Sequence, residues 1–201
     1  MLDKISRILK KKQNFILGIY GAPNAGKTTL ANRIAKDFLG VEVGTVSPIP
    51  HETRKATIAR QVNIKFNGKG VNVDLVDMPG IASKVDYRDF MKYGLSEEEA
   101  VERAKEATRG VVEAIQWLDN IDVALTVFDS TKVPFDQVNL VILGCLKSKK
   151  IPTIIVANKI DLPEARPELI KESFPDYKVV CVSALHGYNM EELYKTITEY
   201  C

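Results

Sequence analysis

Short apolar runs alternate with helix-spaced segments along most of this chain. Phe15-Ile16-Leu17-Gly18-Ile19-Tyr20 is a continuous apolar run of the kind a buried strand makes. Leu30, Ile34 and Phe38 follow at helical spacing, and Gly40 predicts the end of that helix as its C-cap. A loop with two prolines runs from Thr45 to Pro50, and the polar segment His51–Thr57 precedes the next strand. Residues 58–66 and 71–76 read as strands. Asn67-Gly68-Lys69-Gly70 joins them with residues that tolerate positive φ. That pattern predicts a β-hairpin, so one strand of the sheet is antiparallel.

Residues 81–96 read as neither strand nor clear helix. Tyr87, Phe90, Met91 and Tyr93 stand there among Lys84, Asp86, Arg88, Asp89 and Lys92. Ser96 then predicts the start of a long helix, with Glu99 as its capping-box partner. Val101, Ala104, Thr108, Val111, Ile115 and Leu118 form one stripe along it, expected to face the core, with Trp117 off the stripe and packed under a neighbouring loop. Residues 123–128 are a buried strand closed by Asp129. A helix follows Phe135 with Val138, Val141, Ile142 and Cys145 on its apolar side. Strand 153–157, a short helix over about 165–173, strand 178–182 and a helix from Met190 complete the chain. The fold class implied is α/β: a mostly parallel six-stranded sheet with one antiparallel strand and helices on both faces.

Residues 1–14 form a basic amphipathic segment. Leu2, Ile5 and Leu9 share a helical face among Lys4, Arg7, Lys10, Lys11 and Lys12. It reads either as a helix or solvated terminus of the domain, or as a contact with anionic lipid or RNA through residues 1–12.

Length and composition narrow the class. The 201 residues suffice for one domain with an elaboration, and 45% apolar residues can build a packed core. A net charge of +2 predicts neither nucleic-acid nor membrane binding. Three widely spaced cysteines, Cys145, Cys181 and Cys201, suit reduced thiols in a cytoplasmic protein better than a disulfide or zinc framework. The sequence shows no signal peptide and no apolar run of membrane-spanning length.

The chemistry is concentrated at the ends of the strands. Gly21-Ala22-Pro23-Asn24-Ala25-Gly26-Lys27-Thr28 follows the first strand and opens the first helix, the context in which G-x-x-x-x-G-K-[ST] makes a phosphate-binding P-loop. Small residues let backbone N–H groups curl around an anion, and the helix N-terminus adds its dipole. Lys27 is placed to reach β- and γ-phosphates and the Thr28 hydroxyl to ligate Mg²⁺. Asp77-Met78-Pro79-Gly80 ends another strand, where an aspartate can hold Mg²⁺ and Gly80 can offer its N–H to a γ-phosphate.

Asn158-Lys159-Ile160-Asp161 and Ser183-Ala184-Leu185 follow two later strands. With these four motifs in order, residues 15–201 resemble the GTP-binding G domain. The likeness is to a translation-factor-class small GTPase, closest to the Era-like branch, and the segment 81–96 is an elaborated switch II. The resemblance implies GTP and GDP as ligands, with Mg²⁺. Gly21, Asn24, Ala25, Gly26, Lys27, Thr28 and Thr29 would hold the phosphates, and Thr28 and Asp77 the metal. Asp161 would accept from N1–H and the exocyclic amine of guanine, a donor pair that adenine lacks. By resemblance Asn158 supports the base edge and the loop, Lys159 lays its stem along the base, and Ser183, Ala184 and Leu185 complete the base site, with the backbone at Ala184 meeting guanine O6. The switch I threonine, which ligates Mg²⁺ and senses the γ-phosphate, falls on Thr53, with Thr57 as the alternative. Lys27, Thr53 and Gly80 are then the catalytic set.

The sequence departs from the family at three points. Ile81 stands where Ras-like enzymes carry a glutamine that orients water. No Era-type RNA-binding domain follows the final helix, and the 81–96 segment is longer than in a minimal G domain. Asn24 in G-x-P-N-x-G-K resembles the ligand of a monovalent cation, K⁺, which would supply charge between the β- and γ-phosphates. The implied function is a GTPase switch read by a protein or ribonucleoprotein partner. A nucleotide-dependent binding module with negligible hydrolysis is the alternative.

Overall fold

The computed structural model describes residues 14–42, 44, 55–82 and 85–201. The basic segment up to residue 13, the proline loop and Thr53 lie outside them.

Six strands form one sheet: β1 (Phe15–Gly21), β2 (Thr57–Phe66), β3 (Lys69–Asp77), β4 (Val123–Asp129), β5 (Thr153–Asn158) and β6 (Lys178–Cys181). Their spatial order is β2-β3-β1-β4-β5-β6. Of these described strand pairs, β2–β3 is antiparallel and the other four are parallel. The hairpin turns on Asn67 and Gly68, both at positive φ (46° and 77°), which matches the twist of the flanking strands. A bulge between Ala59 and Val62 interrupts β2, and the Gln61 N–H there donates to Asp74 Oδ1 at 3.0 Å.

Among the described residues there are six helices: α1 (Lys27–Leu39), α2 (Tyr87–Met91), α3 (Glu97–Trp117), α4 (Gln137–Ser148), α5 (Pro167–Ser173) and α6 (Met190–Tyr200). On one face α1 and α6 bury Leu30, Ile34, Leu193 and Ile197 against Leu17, Ile19, Leu75 and Val156. On the other, α3 and α4 bury Ala114, Leu118, Ile142 and Leu146 against Tyr20, Val76 and Ala124. Alternate residues of the central strands therefore serve two cores, and these strands read as unbroken apolar runs.

The helix ends follow from local chemistry. Gly40 closes α1 at φ 74°, its N–H bonded to Lys36 O. Ser96 and Glu99 form the reciprocal capping box of α3.

Three readings of the sequence need correction. Segment 81–96 contains the one-turn helix α2, capped by Asp86 and anchored by buried Phe90. The buried stripe of α3 is Ala100, Arg103, Ala107, Gly110, Ala114 and Leu118, while Thr108 is exposed and Ile115 is 45% exposed. Ala107, Gly110 and Ala114 are small buried positions on this face, and Arg103 is buried with them. On α4, Val141 is exposed and Asn139 is buried, where its amide donates to Pro134 O at 3.2 Å. Trp117 is half-buried against the α3–α4 core.

Candidate functional site

Gly21, Asp77, Asp129 and Asn158 are the last residues of β1, β3, β4 and β5. Because β3, β1, β4 and β5 are parallel, all four residues arrive at the carboxyl edge of the sheet, where open α/β folds bind ligands.

The loop from Gly21 wraps into α1. Gly26 is the helix N-cap at φ 97°, a left-handed backbone that suits glycine. Space also demands glycine there, since a Cβ would lie 2.2 Å from Asn158 Nδ2. Asn24 takes φ 60° and is exposed on the loop. Lys27 is buried, its Nζ donating to Ala22 O at 2.8 Å. Burial lowers its pKa from 10.5 to about 8, a drop that the nearby Asp77 charge offsets in part.

Thr28 Oγ1 donates to Asp77 Oδ2 at 2.6 Å, which joins the first turn of α1 to the end of β3. Two hard oxygen donors thus sit side by side. No group of three His, Cys, Asp or Glu side chains is arranged to hold a metal among the described residues. Gly44 packs over this pair, for a Cβ on it would lie 2.8 Å from Thr28 Cγ2 and 3.9 Å from Asp77 Oδ2. Asn32 clamps Gly44 by two bonds, Nδ2 to Gly44 O at 2.8 Å and Gly44 N–H to Oδ1 at 2.9 Å.

Gly80 abuts the phosphate loop, and a Cβ there would meet Pro23 Cα at 3.1 Å. Ile81 is buried in the core with Tyr20 and Met78, its N–H bonded to Gly21 O at 3.2 Å. Thr57 begins β2, directly after Ala56, whose N–H donates to Glu113 Oε1 of α3 at 3.1 Å.

Asn158 ties two loops together. Its Nδ2 donates to Ala25 O at 3.0 Å and its Oδ1 accepts the Ala184 N–H at 3.0 Å. Lys159 reaches Asp129, Nζ to Oδ2 at 2.6 Å. Burial opposes ionisation of Asp129, yet hydrogen bonds from Lys159 and Thr131 outweigh it and hold the carboxyl below its ordinary range. Asp161 lies on the loop after β5, with His186 Nε2 at 3.6 Å from its Oδ2. Ser183 is fully buried and organises its loop, its Oγ accepting the His186 N–H at 3.1 Å. Leu185 is 65% exposed.

The structure therefore gathers Gly21–Thr28, Asp77, Gly80, Asn158–Asp161 and Ser183–Leu185 at one edge of the sheet. Thr29 lines a cavity of about 550 Å³ with Arg33, Lys36, Gly44, Ala184 and Leu185. A second cavity of about 400 Å³ lies against Pro23, Asn24, Asp129 and Lys159. Sequence reasoning passed over Asn32, Arg33, Glu113 and His186. For Asn32 and Arg33 the available signal was their place on the helix that carries Lys27 and Thr28.

A family model described as the 50S ribosome-binding GTPase matches residues 16–159, most of the chain, with the first two motifs whole and the first two residues of Asn158–Asp161. The chain belongs to this GTPase family. It is 34% identical over 179 residues to the tRNA modification GTPase MnmE of Chloroflexus aurantiacus, covering 89% of this chain and 33% of that one. Among solved structures it resembles an Era variant of Aquifex aeolicus bound to GDP·AlF4⁻, with a TM-score of 0.70, 28% identity, and 94% of this chain and 57% of that one covered. Era in complex with MgGDPNP and a segment of 16S ribosomal RNA gives a TM-score of 0.70 at 27% identity over the same shares. The chain thus spans about a third of the length of that MnmE. Among the described residues no helix is long and apolar enough to cross a membrane.

Proposed function

We propose that this chain binds GTP and GDP through the gathered loops, hydrolyses GTP, and works as a nucleotide-dependent switch. The observation that carries this reading is the Asn158 bridge. One buried side chain joins the carbonyl of Ala25 in the phosphate loop to the amide of Ala184 in the loop after β6. A ligand with phosphates at one end and a base at the other would span that bridge. In this reading the N–H groups of the Gly21–Thr29 turn and Lys27 hold the phosphates. Asp161 reads the base, flanked by Lys159 and the Ser183–Leu185 loop.

Magnesium fits the site. The Thr28 hydroxyl and Asp77 carboxylate are hard oxygens, and an ion that keeps several waters needs only one or two protein ligands beside phosphate oxygens. When bound, the ion supplies charge that screens the phosphates. The chain's own part is to orient it through Thr28 and Asp77. Thr53, with Thr57 as the alternative, is assigned to sense the γ-phosphate, and Gly80 to approach it from the other side. Asn24 is assigned as a K⁺ ligand.

Residues 15–201 are taken as the G domain and 1–14 as a basic appendage. The partner is proposed to be a protein or ribonucleoprotein that reads residues 45–57 and 80–96, in line with the RNA in the Era complex. A cytoplasmic setting suits the three unpaired thiols. A second reading, binding with little hydrolysis, is favoured by one observation: Ile81 is packed in the core and cannot orient water. Phosphate release from GTP, measured with Lys27→Ala as control, separates the two. Steady turnover abolished in the variant supports the switch, and tight GTP binding without turnover supports the binding module.

A further inference from the structure

We infer that Arg33 is a positioning residue for base recognition; this rests on the reading that Asp161 and the Ser183–Leu185 loop receive guanine. Arg33 sits on α1, six residues beyond Lys27. Its Nε donates to Ala184 O at 3.1 Å and its NH2 group to Leu185 O at 2.7 Å. A single guanidinium thus grips two successive carbonyls of the loop. Its planar fork suits that task, whereas the ammonium of lysine is a point donor.

The grip determines where the loop's amides point. In a planar trans peptide the C=O and the following N–H face opposite ways. Holding Ala184 O toward α1 therefore turns the Leu185 N–H away from α1. Holding Leu185 O does the same for the His186 N–H, which indeed donates to Ser183 Oγ. The Ala184 N–H is engaged by Asn158. Leu185 N–H is thereby the loop amide aimed for a carbonyl acceptor such as guanine O6, and Arg33 aims it.

Arg33 is itself held. Asp37 Oδ1 lies 3.8 Å from its NH1, and Tyr194 of α6 donates its hydroxyl to Asp37 Oδ2 at 2.5 Å. The Arg33 guanidinium also lies under Gly187, where a Cβ would meet Cζ at 3.4 Å. The relay Tyr194–Asp37–Arg33 thus locks the loop to the helix that begins with Lys27 and Thr28. The loop needs such a lock, because Leu185 and Tyr188 are both more than half exposed.

The test compares GDP with 6-thio-GDP, which keeps the donor edge read by Asp161 but replaces O6 with a poor acceptor. Wild type should prefer GDP. Arg33→Met should lose about tenfold in GDP affinity, and its GDP to 6-thio-GDP ratio should fall toward one. Arg33→Lys, which can bond one carbonyl, should lie between. In both variants, amide exchange at residues 184–187 should speed up in the nucleotide-free protein. That measurement on Arg33→Lys stands if Arg33→Met does not fold. Equal losses for both nucleotides with an unchanged ratio would make Arg33 merely structural and overturn the inference. So would a wild type indifferent to the sulfur, or unaltered exchange at 184–187. A wild type that prefers GDP to ADP while Arg33→Met behaves like it would sink the Arg33 role alone. A wild type that binds no GDP would sink the guanine reading with it.

Discussion

Thr28 Oγ1 and Asp77 Oδ2 stand 2.6 Å apart, although 49 residues separate them in the chain. The pair joins the phosphate loop's helix to the strand that leads into residues 78–82. If it holds the metal, Thr28→Ala should lower GTP affinity about 10- to 100-fold in excess Mg²⁺, one ligand being lost. With the metal chelated, the variant and wild type should converge. Titration with and without EDTA checks this. An equal deficit in both conditions would point to loop damage instead.

Asn158 is buried and bonds two backbone groups from different loops. Replacing it with alanine leaves the Ala25 carbonyl and the Ala184 amide without their partner. The loss should be about 3 kcal/mol. For a domain of this size that lowers the melting temperature by roughly 6–12 °C. Calorimetry of the nucleotide-free protein measures it, and a melting temperature within a degree of wild type would contradict the bridge.

Lys27 makes nucleotide affinity depend on pH. Burial lowers its pKa from 10.5 to about 8 in the free protein. Bound phosphates favour the ammonium and raise the pKa again. Below pH 8 the free protein already carries the proton, so this group leaves GDP affinity flat. Above pH 8 binding must take up a proton, and affinity should fall by up to about tenfold per pH unit. Stability of the free protein moves the other way. Between about 8 and 10.5 the unfolded chain holds a proton that the folded chain has released, so this group's contribution rises with pH. GDP titrations from pH 7 to 10 on wild type and Lys27→Ala read the first effect. The same slope in both would assign it to another group.

Much of this was legible because it is local. The Ser96–Glu99 box, the Gly40 cap and the Asn67-Gly68 turn each act within a few residues, and the sequence pattern foretold all three. The strand-end motifs were legible because each marks where an apolar run stops. The buried face of α3 was hidden, since periodicity favours large apolar residues such as Ile115 and the fold buries Ala107, Gly110 and Ala114. Helix α2 is too short to carry a period and depends on the Asp86 cap and on burial of Phe90. The role of Arg33 was beyond reach, for its acceptor carbonyls lie 151 and 152 residues away.

Hydrolysis without a polar side chain at position 81 needs charge from elsewhere. Asn24, exposed on the phosphate loop, offers a neutral oxygen suited to K⁺. GTP turnover should be about tenfold faster in K⁺ than in Na⁺ at matched ionic strength, and Asn24→Ala should remove the difference. Equal rates in the two salts would move the charge to a group supplied by a partner.

The central claim is guanine recognition, and Asp161 tests it most directly. Asparagine in its place presents an amide, which reverses part of the donor and acceptor pattern offered to the base. Affinities for GDP, ADP and xanthosine diphosphate should be measured on wild type and Asp161→Asn. Wild type should bind GDP and not ADP. The variant should lose about 100-fold or more for GDP and gain for xanthosine diphosphate. Unchanged GDP affinity in Asp161→Asn, with the protein folded, would contradict the account.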